Sequence, residues 1–217
     1  MDKKTSKPRS RAGRPTIEQA QKRHRELLEK SLDLFLKKGF QLTTLDAVAK
    51  ALHMTKRTIY GLYANKEALF KAAVEQAIDN NMTPIEELRA IADEDLDVIL
   101  TAVARQRVKA FLSPTGMRLQ RVINAEFYRF PELYSMVYDK STMPTVMFLV
   151  DLLRRHTARG EIVVDKPEVA AAAFLSMAVG GPARGMLTGL LPEESTGLDE
   201  HIQYCVQLFL HGIRWQR

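Results

Sequence analysis

Helical periodicity breaks at His53-Met54, barely two turns after it starts at Leu45. Leu45, Val48, Ala49 and Leu52 mark one face of a short helix, capped by Thr43 or Thr44. Thr55 then restarts the pattern as an N-cap, with Met54 placed to pack on Ile59 as a hydrophobic staple. Neither helix is long enough to be stable alone. Two such helices, a tight turn between them and Thr, Lys, Arg, Thr and Tyr on the second make a helix-turn-helix. The first helix braces the second in the DNA major groove, where Lys and Arg bond guanine, Thr meets thymine methyl groups, and Tyr and Lys reach phosphates.

The flanking helices supply the apolar cover that the short pair lacks. Thr16-Ile17-Glu18-Gln19 has the form of a capping box. Leu28, Leu32, Phe35 and Leu36 follow on one face, and Gly39 ends that helix. Asn65 caps a fourth helix bearing Leu69, Phe70, Ala73, Val74 and Ala77, which fades near Asn80-Asn81. Beyond residue 84 the pattern stays helical, with helices predicted at about 85–92, 95–112, 115–129, 131–140, 144–159, 167–187 and 199–216, and no strand. Pro114, Pro131, Pro144 and Pro167 lie near helix starts. The expected fold class is all-α: an arm over 1–15, a three-helix helix-turn-helix DNA-binding domain over 16–80, and a second helical domain over 84–217.

Charge sharpens this division. The net charge of +6 is uneven: residues 1–80 hold 17 Lys and Arg against 9 Asp and Glu, leaving 15 against 17 for the rest. Only the N-terminal third is suited to a polyanion. Residues 1–15 carry six Lys or Arg, two prolines and no apolar period, and read as a disordered basic arm. Arg11-Ala12-Gly13-Arg14-Pro15 resembles the core of minor-groove hooks, which makes Arg14 a candidate DNA contact; a solubilising tail is the alternative. The single cysteine fits a reducing compartment. The first 30 residues lack an apolar signal core, and the longest uncharged run, Val169 to Ala183, is too short to cross a membrane. A cytoplasmic protein without a membrane partner is expected.

The run Gly39-Phe40-Gln41-Leu42-Thr43-Thr44, Val48-Ala49, Thr55-Lys56-Arg57-Thr58-Ile59-Tyr60, Tyr63 and Asn65-Lys66-Glu67-Ala68-Leu69 resembles the N-terminal domain of the tetracycline-repressor (TetR) family over residues 20–75. Glu126-Phe127-Tyr128-Arg129-Phe130-Pro131-Glu132-Leu133 is similar to a segment in one branch of the family's ligand domains. The resemblance implies a homodimeric regulator, usually a repressor, on a palindromic operator in double-stranded DNA, with 84–217 as a helical ligand-binding and dimerisation domain whose small-molecule ligand releases the DNA. The methionines of that domain suit an apolar or amphipathic ligand. Carried over by position, Thr44, Thr55, Lys56, Thr58, Tyr60 and Lys66 contact DNA, with Lys66 holding a phosphate at a helix N-terminus. The sequence departs from the family pattern at His53 in place of the turn glycine, at Arg57 in place of a small residue, and at Gly61. Arg57 becomes a candidate source of base preference, and position 61 loses a groove-reading side chain.

Gln120, Asn124, Phe127, Tyr128, Met136, Met147 and Asp151 are candidate ligand contacts, since a helical pocket needs apolar walls and a few polar groups. Ala170, Phe174, Met177, Gly181, Val206, Phe209 and Ile213 are candidate dimer contacts on the last two long helices, with packing inside one subunit as the alternative. His201 and Cys205 share a helix face, but two ligands make no zinc site, and no metal or cofactor is expected. Gly180 to Gly185 has neither phosphate-loop spacing nor a preceding strand, and no arrangement suggests an enzyme. Two other readings stay open: an architectural DNA protein acting by charge and shape, and a helical enzyme or carrier with an incidental basic unit.

Overall fold

The structure is a computed structural model that describes residues 16–82, 84–187 and 197–213. The described chain is helical, with no strands. The first four helices are α1 (Ile17–Leu42), α2 (Leu45–Ala51), α3 (Lys56–Leu62) and α4 (Lys66–Asn80). The expected caps are in place: Thr16 and Gln19 form the capping box, and Thr44, Thr55 and Asn65 accept from the N–H groups of Ala47, Thr58 and Ala68. Gly39, at φ 77°, breaks the helical path of α1, and Phe40–Leu42 form only a trailing turn. His53 takes φ 52°, so a side chain occupies the left-handed turn position that more often holds glycine.

The rest comprises α5 (Ile85–Arg89), α6 (Leu96–Leu112), α7 (Pro114–Glu126), α8 (Glu132–Val137), α9 (Met143–Ala158), α10 (Pro167–Leu175), α11 (Gly181–Leu187) and α12 (Leu198–Ile213). Two π turns interrupt it: Tyr138–Thr142 joins α8 to α9, and Ser176–Gly180 joins α10 to α11. In the first, Met143 N–H donates to Tyr138 O, five residues back. Pro144 follows directly; it has no N–H to give and its ring crowds the carbonyl four residues earlier, so a wider turn relieves the conflict.

Two buried clusters hold the molecule. The first joins Leu27, Leu28, Leu32 and Phe35 of α1 to Val48, Ile59, Leu69, Phe70 and Val74, and it extends to Leu119, Val122, Ile123, Phe130 and Leu133. The core of the N-terminal helices is therefore closed by α7 and the loop after it. Phe40 is the hinge of that closure: its ring lies 5.2 Å from Phe70 and 4.9 Å from Phe130, both edge-on. The second cluster gathers α6, α9, α10 and α12 around Ile99, Leu100, Val103, Leu149, Leu152, Phe174 and Val206.

Candidate DNA-reading helix and ligand cavity

One side chain fastens α3 to the core. Ile59 is fully buried, while Lys56, Arg57, Thr58, Tyr60, Gly61 and Leu62 are exposed. Thr55 Oγ1 and Thr58 Oγ1 are 2.8 Å apart, which ties the first turn together. Lys56 Nζ donates to Asp46 on α2, and that bond raises the ammonium pKa, so the two short helices are linked by an exposed ion pair. At Gly61 a Cβ would meet nothing, leaving open space on this face. Behind α3, Tyr63 Oη lies 2.7 Å from His24 Nε2, stacked ring on ring, and so braces α3 against α1. This pair escaped the sequence reading because its members are 39 residues apart.

Thr44 is exposed at the start of α2. Lys66 sits at the first position of α4, but its ammonium donates to Phe40 O at 2.8 Å and Gln41 O at 3.1 Å and lies over the Phe40 ring. It caps the end of α1 from the N-terminus of α4. Arg14 lies outside the described residues.

A cavity of about 360 Å³ lies between the two cores. Its wall runs from Asn81, which ends α4, through Arg107, Ala110 and Phe111 of α6 and Gly116, Leu119 and Gln120 of α7. It continues over Tyr138, Ser141 and Thr142 of the first π turn to Ser176, Val179 and Gly180 of the second. Tyr134 and Ala172 also line it and are exposed, marking a rim. Both π turns thus face the same space, as such turns often do at working sites.

Of the seven expected pocket residues, Gln120 lines this cavity. Asn124 is on the surface because α7 turns its opposite face inward, and Phe127 and Tyr128 are exposed in the turn that follows α7, Tyr128 at 96%. Met136 packs on the first core. Met147 and Asp151 line a separate pocket of about 330 Å³ with Ile85 and Arg89. Arg107 was missed altogether: in sequence it is one more basic residue on an amphipathic helix.

The expected dimer residues divide in the same way. Phe174 and Val206 are buried in the second core, and Ala170, Met177, Phe209 and Ile213 pack against it; only Gly181 is exposed. The subunit's own interior uses the most apolar face of α10 and α12. Their outward faces carry Val169, Ala173, Tyr204 and Leu208 instead. Cys205 is buried near Met177 O and His201, and burial raises its thiol pKa. No group of three metal-ligating side chains occurs among the described residues.

Residues 27–73 match the family of bacterial regulatory proteins named for TetR, and residues 98–212 match the AefR-like transcriptional repressor C-terminal domain. The chain belongs to the TetR family. It is a DNA-binding transcriptional regulator of the repressor type, from a family whose members are regulators and not enzymes.

The regulator UidR of Escherichia coli K12 is 26% identical over 152 residues, 68% of this chain and 72% of that one. The biofilm-operon negative regulator IcaR of Staphylococcus epidermidis is 32% identical over 54 residues, 29% of its length. A TetR-family regulator from Mesorhizobium loti superposes with a TM-score of 0.75 at 23% identity, covering 90% of this chain and 98% of that one. The flavonoid-responsive regulator FrrA superposes with a TM-score of 0.69 at 26% identity, covering 90% and 100%.

Proposed function

We propose that the chain is a homodimeric repressor that reads a palindromic operator through α3 and leaves it when a small apolar or amphipathic molecule fills the cavity. The observation that carries this reading is the outward face of α3, where Lys56, Arg57, Thr58 and Tyr60 stand free of the core around one buried anchor. Thr55 and Thr58 meet base edges or methyl groups, Lys56 and Arg57 meet guanine or phosphate, and Tyr60 reaches the backbone. Thr44 bonds a phosphate from the start of α2. Lys66 offers its remaining N–H and the N-terminus of α4 to another. Arg14 enters the adjacent minor groove.

Release follows from what the cavity wall touches. Asn81 caps α4, donates to Ala110 O at 3.1 Å and accepts from the Ser113 hydroxyl at 2.7 Å. Lys140 of the first π turn bonds Glu75 and Asp79 of α4 at 2.7 and 2.9 Å, and Lys71 pairs with Glu132. Movement of α7 or the π turn on ligand binding thus bears directly on α4, which carries α3 at its other end. The flavonoid response of FrrA accords with such a device. For the dimer, Val169, Ala173, Tyr204 and Leu208 form the apolar outer faces of α10 and α12, which two subunits pair across a two-fold axis. Among the described residues no helix is long and apolar enough to cross a membrane, and we place the protein in the cytoplasm.

The test is selection of bound fragments from a random duplex pool by the full chain. Enrichment of a palindrome with half-sites one or two helical turns apart is expected. Retention without any enriched motif would overturn sequence-specific reading in favour of binding by charge and shape.

A further inference from the structure

Among the described residues, Arg107 is the single charged side chain lining the cavity. Its neighbour on the same helix, Arg105, is exposed and forms a two-pronged pair with Asp199, at 2.6 and 2.8 Å. Arg107 is partly buried, and among the described residues it has no carboxylate within ion-pair distance. Its bonds all go to one residue: Nη1 donates to Ser141 O at 2.9 Å and to Ser141 Oγ at 3.0 Å. Burial lowers its pKa, the sign of a cation short of compensation, though a guanidinium stays charged.

A cation withdrawn from water without a counter-charge is costly, and it is kept where a partner arrives from outside. Ser141 holds one side of the guanidinium against the π turn. Nε and Nη2 have no hydrogen-bond partner among the described residues, and together they form the edge that takes a carboxylate two-pronged. Beyond them the wall is apolar, with Phe111, Leu119, Val146, Leu175 and Val179, while Tyr138 and Thr142 supply hydroxyls.

Resting on the proposed ligand response, we infer that the cavity takes an organic acid, its carboxylate seated on Arg107 and its apolar body on the wall formed by α7, α9 and the second π turn. The same contact explains how occupancy is felt. A carboxylate on the Nε/Nη2 edge draws the guanidinium toward itself and so displaces the Nη1 bonds to Ser141, which lies one residue from Lys140, the link to α4.

The experiment uses the full chain and N-phenylnaphthylamine, a neutral dye that fluoresces in apolar cavities, displaced by decanoate or by decanol below their aggregation limits. Decanoate should displace the dye at least about ten-fold more effectively than decanol. Arg107→Met should abolish that advantage while leaving decanol unchanged, and Arg107→Lys should retain part of it. Thermal melts of both variants, and the dye affinity itself, show that the cavity is intact.

Equal displacement by decanoate and decanol in the wild type would overturn the inference while leaving a ligand cavity in place. An advantage that survives Arg107→Met would overturn it too. Failure of the dye and both competitors to enter would sink the inference and the ligand-response reading together.

Discussion

The DNA-reading helix and the ligand cavity of this protein are assembled by opposite means. In α3, side chains within seven consecutive residues point outward around a single buried Ile59, and local caps at Thr44, Thr55 and Asn65 set the geometry. The cavity draws its wall from residues 81 to 183, across α4, α6, α7, α8, α9, α10, α11 and both π turns, and no adjacent pair of them defines it. The first kind of site needs a stiff support and little else. The second depends on how whole helices lie against each other, so its shape moves whenever they move. A regulator needs both, coupled through an element that belongs to each, and α4 is that element.

The sharpest way to break this comparison is to remove the aromatic hinge. Phe40 is almost fully buried, with rings of Phe35, Phe70 and Phe130 around it and Lys66 and Arg129 over its faces. Phe40→Ala should cost about 3–5 kcal/mol, lowering the midpoint of thermal unfolding by on the order of 10 °C. Because Phe130 comes from beyond α7, calorimetry should show one transition moving as a whole. Two separate transitions, with only the first displaced, would mean that the reading unit and the cavity domain are energetically independent.

Next in size is Gly116→Ala at the α6–α7 elbow. An added Cβ there would stand 2.2 Å from Ala110 O and 2.5 Å from Phe111 O, both backbone atoms that cannot swing aside. The elbow is tied by Ser113, which accepts from Gly116 N–H at 2.9 Å and bonds Asn81. A loss of about 1–3 kcal/mol is expected, with dye binding in the cavity weakened and the outward face of α3 unaffected. An unchanged melt would show that α7 shifts freely, contrary to a cavity whose walls transmit position.

The same contrast explains what was legible in the sequence. Caps, the break at His53-Met54 and the faces of α1 and α4 are set by neighbours within a few residues, so period and capping chemistry located them. Every helix expected beyond residue 84 has a counterpart among the described residues, most with ends displaced by a few residues, and the one expected over 167–187 is interrupted by the second π turn. The first π turn was hidden because Pro144 reads as a helix start, whereas the chain widens its turn and continues through it. Arg107 was invisible because its meaning depends on a missing counter-charge, a fact about space. Phe174 and Val206 were expected at a dimer face because they lie on the apolar faces of their helices, but those faces also pack into the subunit's own core.

On the reading side, Tyr60→Ala and Lys56→Ala should each weaken binding to the selected operator by about ten-fold or more. Their melts should stay near the wild type, since both side chains are exposed. Arg57→Ala should relax preference at one base position in each half-site. Lys66→Ala should instead lower the salt dependence of binding without changing the preferred site. Gel-shift titration across salt concentrations checks all four. Equal loss on operator and random DNA for Arg57→Ala would remove it from base reading.

The smallest expected effect tests the coupling itself. Lys140 bonds Glu75 and Asp79 of α4 from the π turn that also holds Ser141, and the first of these bonds is the main cause of its raised pKa. As a largely solvated pair it contributes under about 1 kcal/mol to stability, so Lys140→Met should leave the melt nearly unchanged. Its position still matters, because it is a direct tie between the π turn beside the cavity and the helix that carries α3. If α4 has two arrangements of similar energy, one fitted to DNA and one not, losing the tie shifts their balance, and operator affinity should change by about two-fold or more. A decorative ion pair would leave operator affinity unchanged. The effect would then have to travel through Asn81 and the packed side chains of α7, and Asn81→Ala should reveal it.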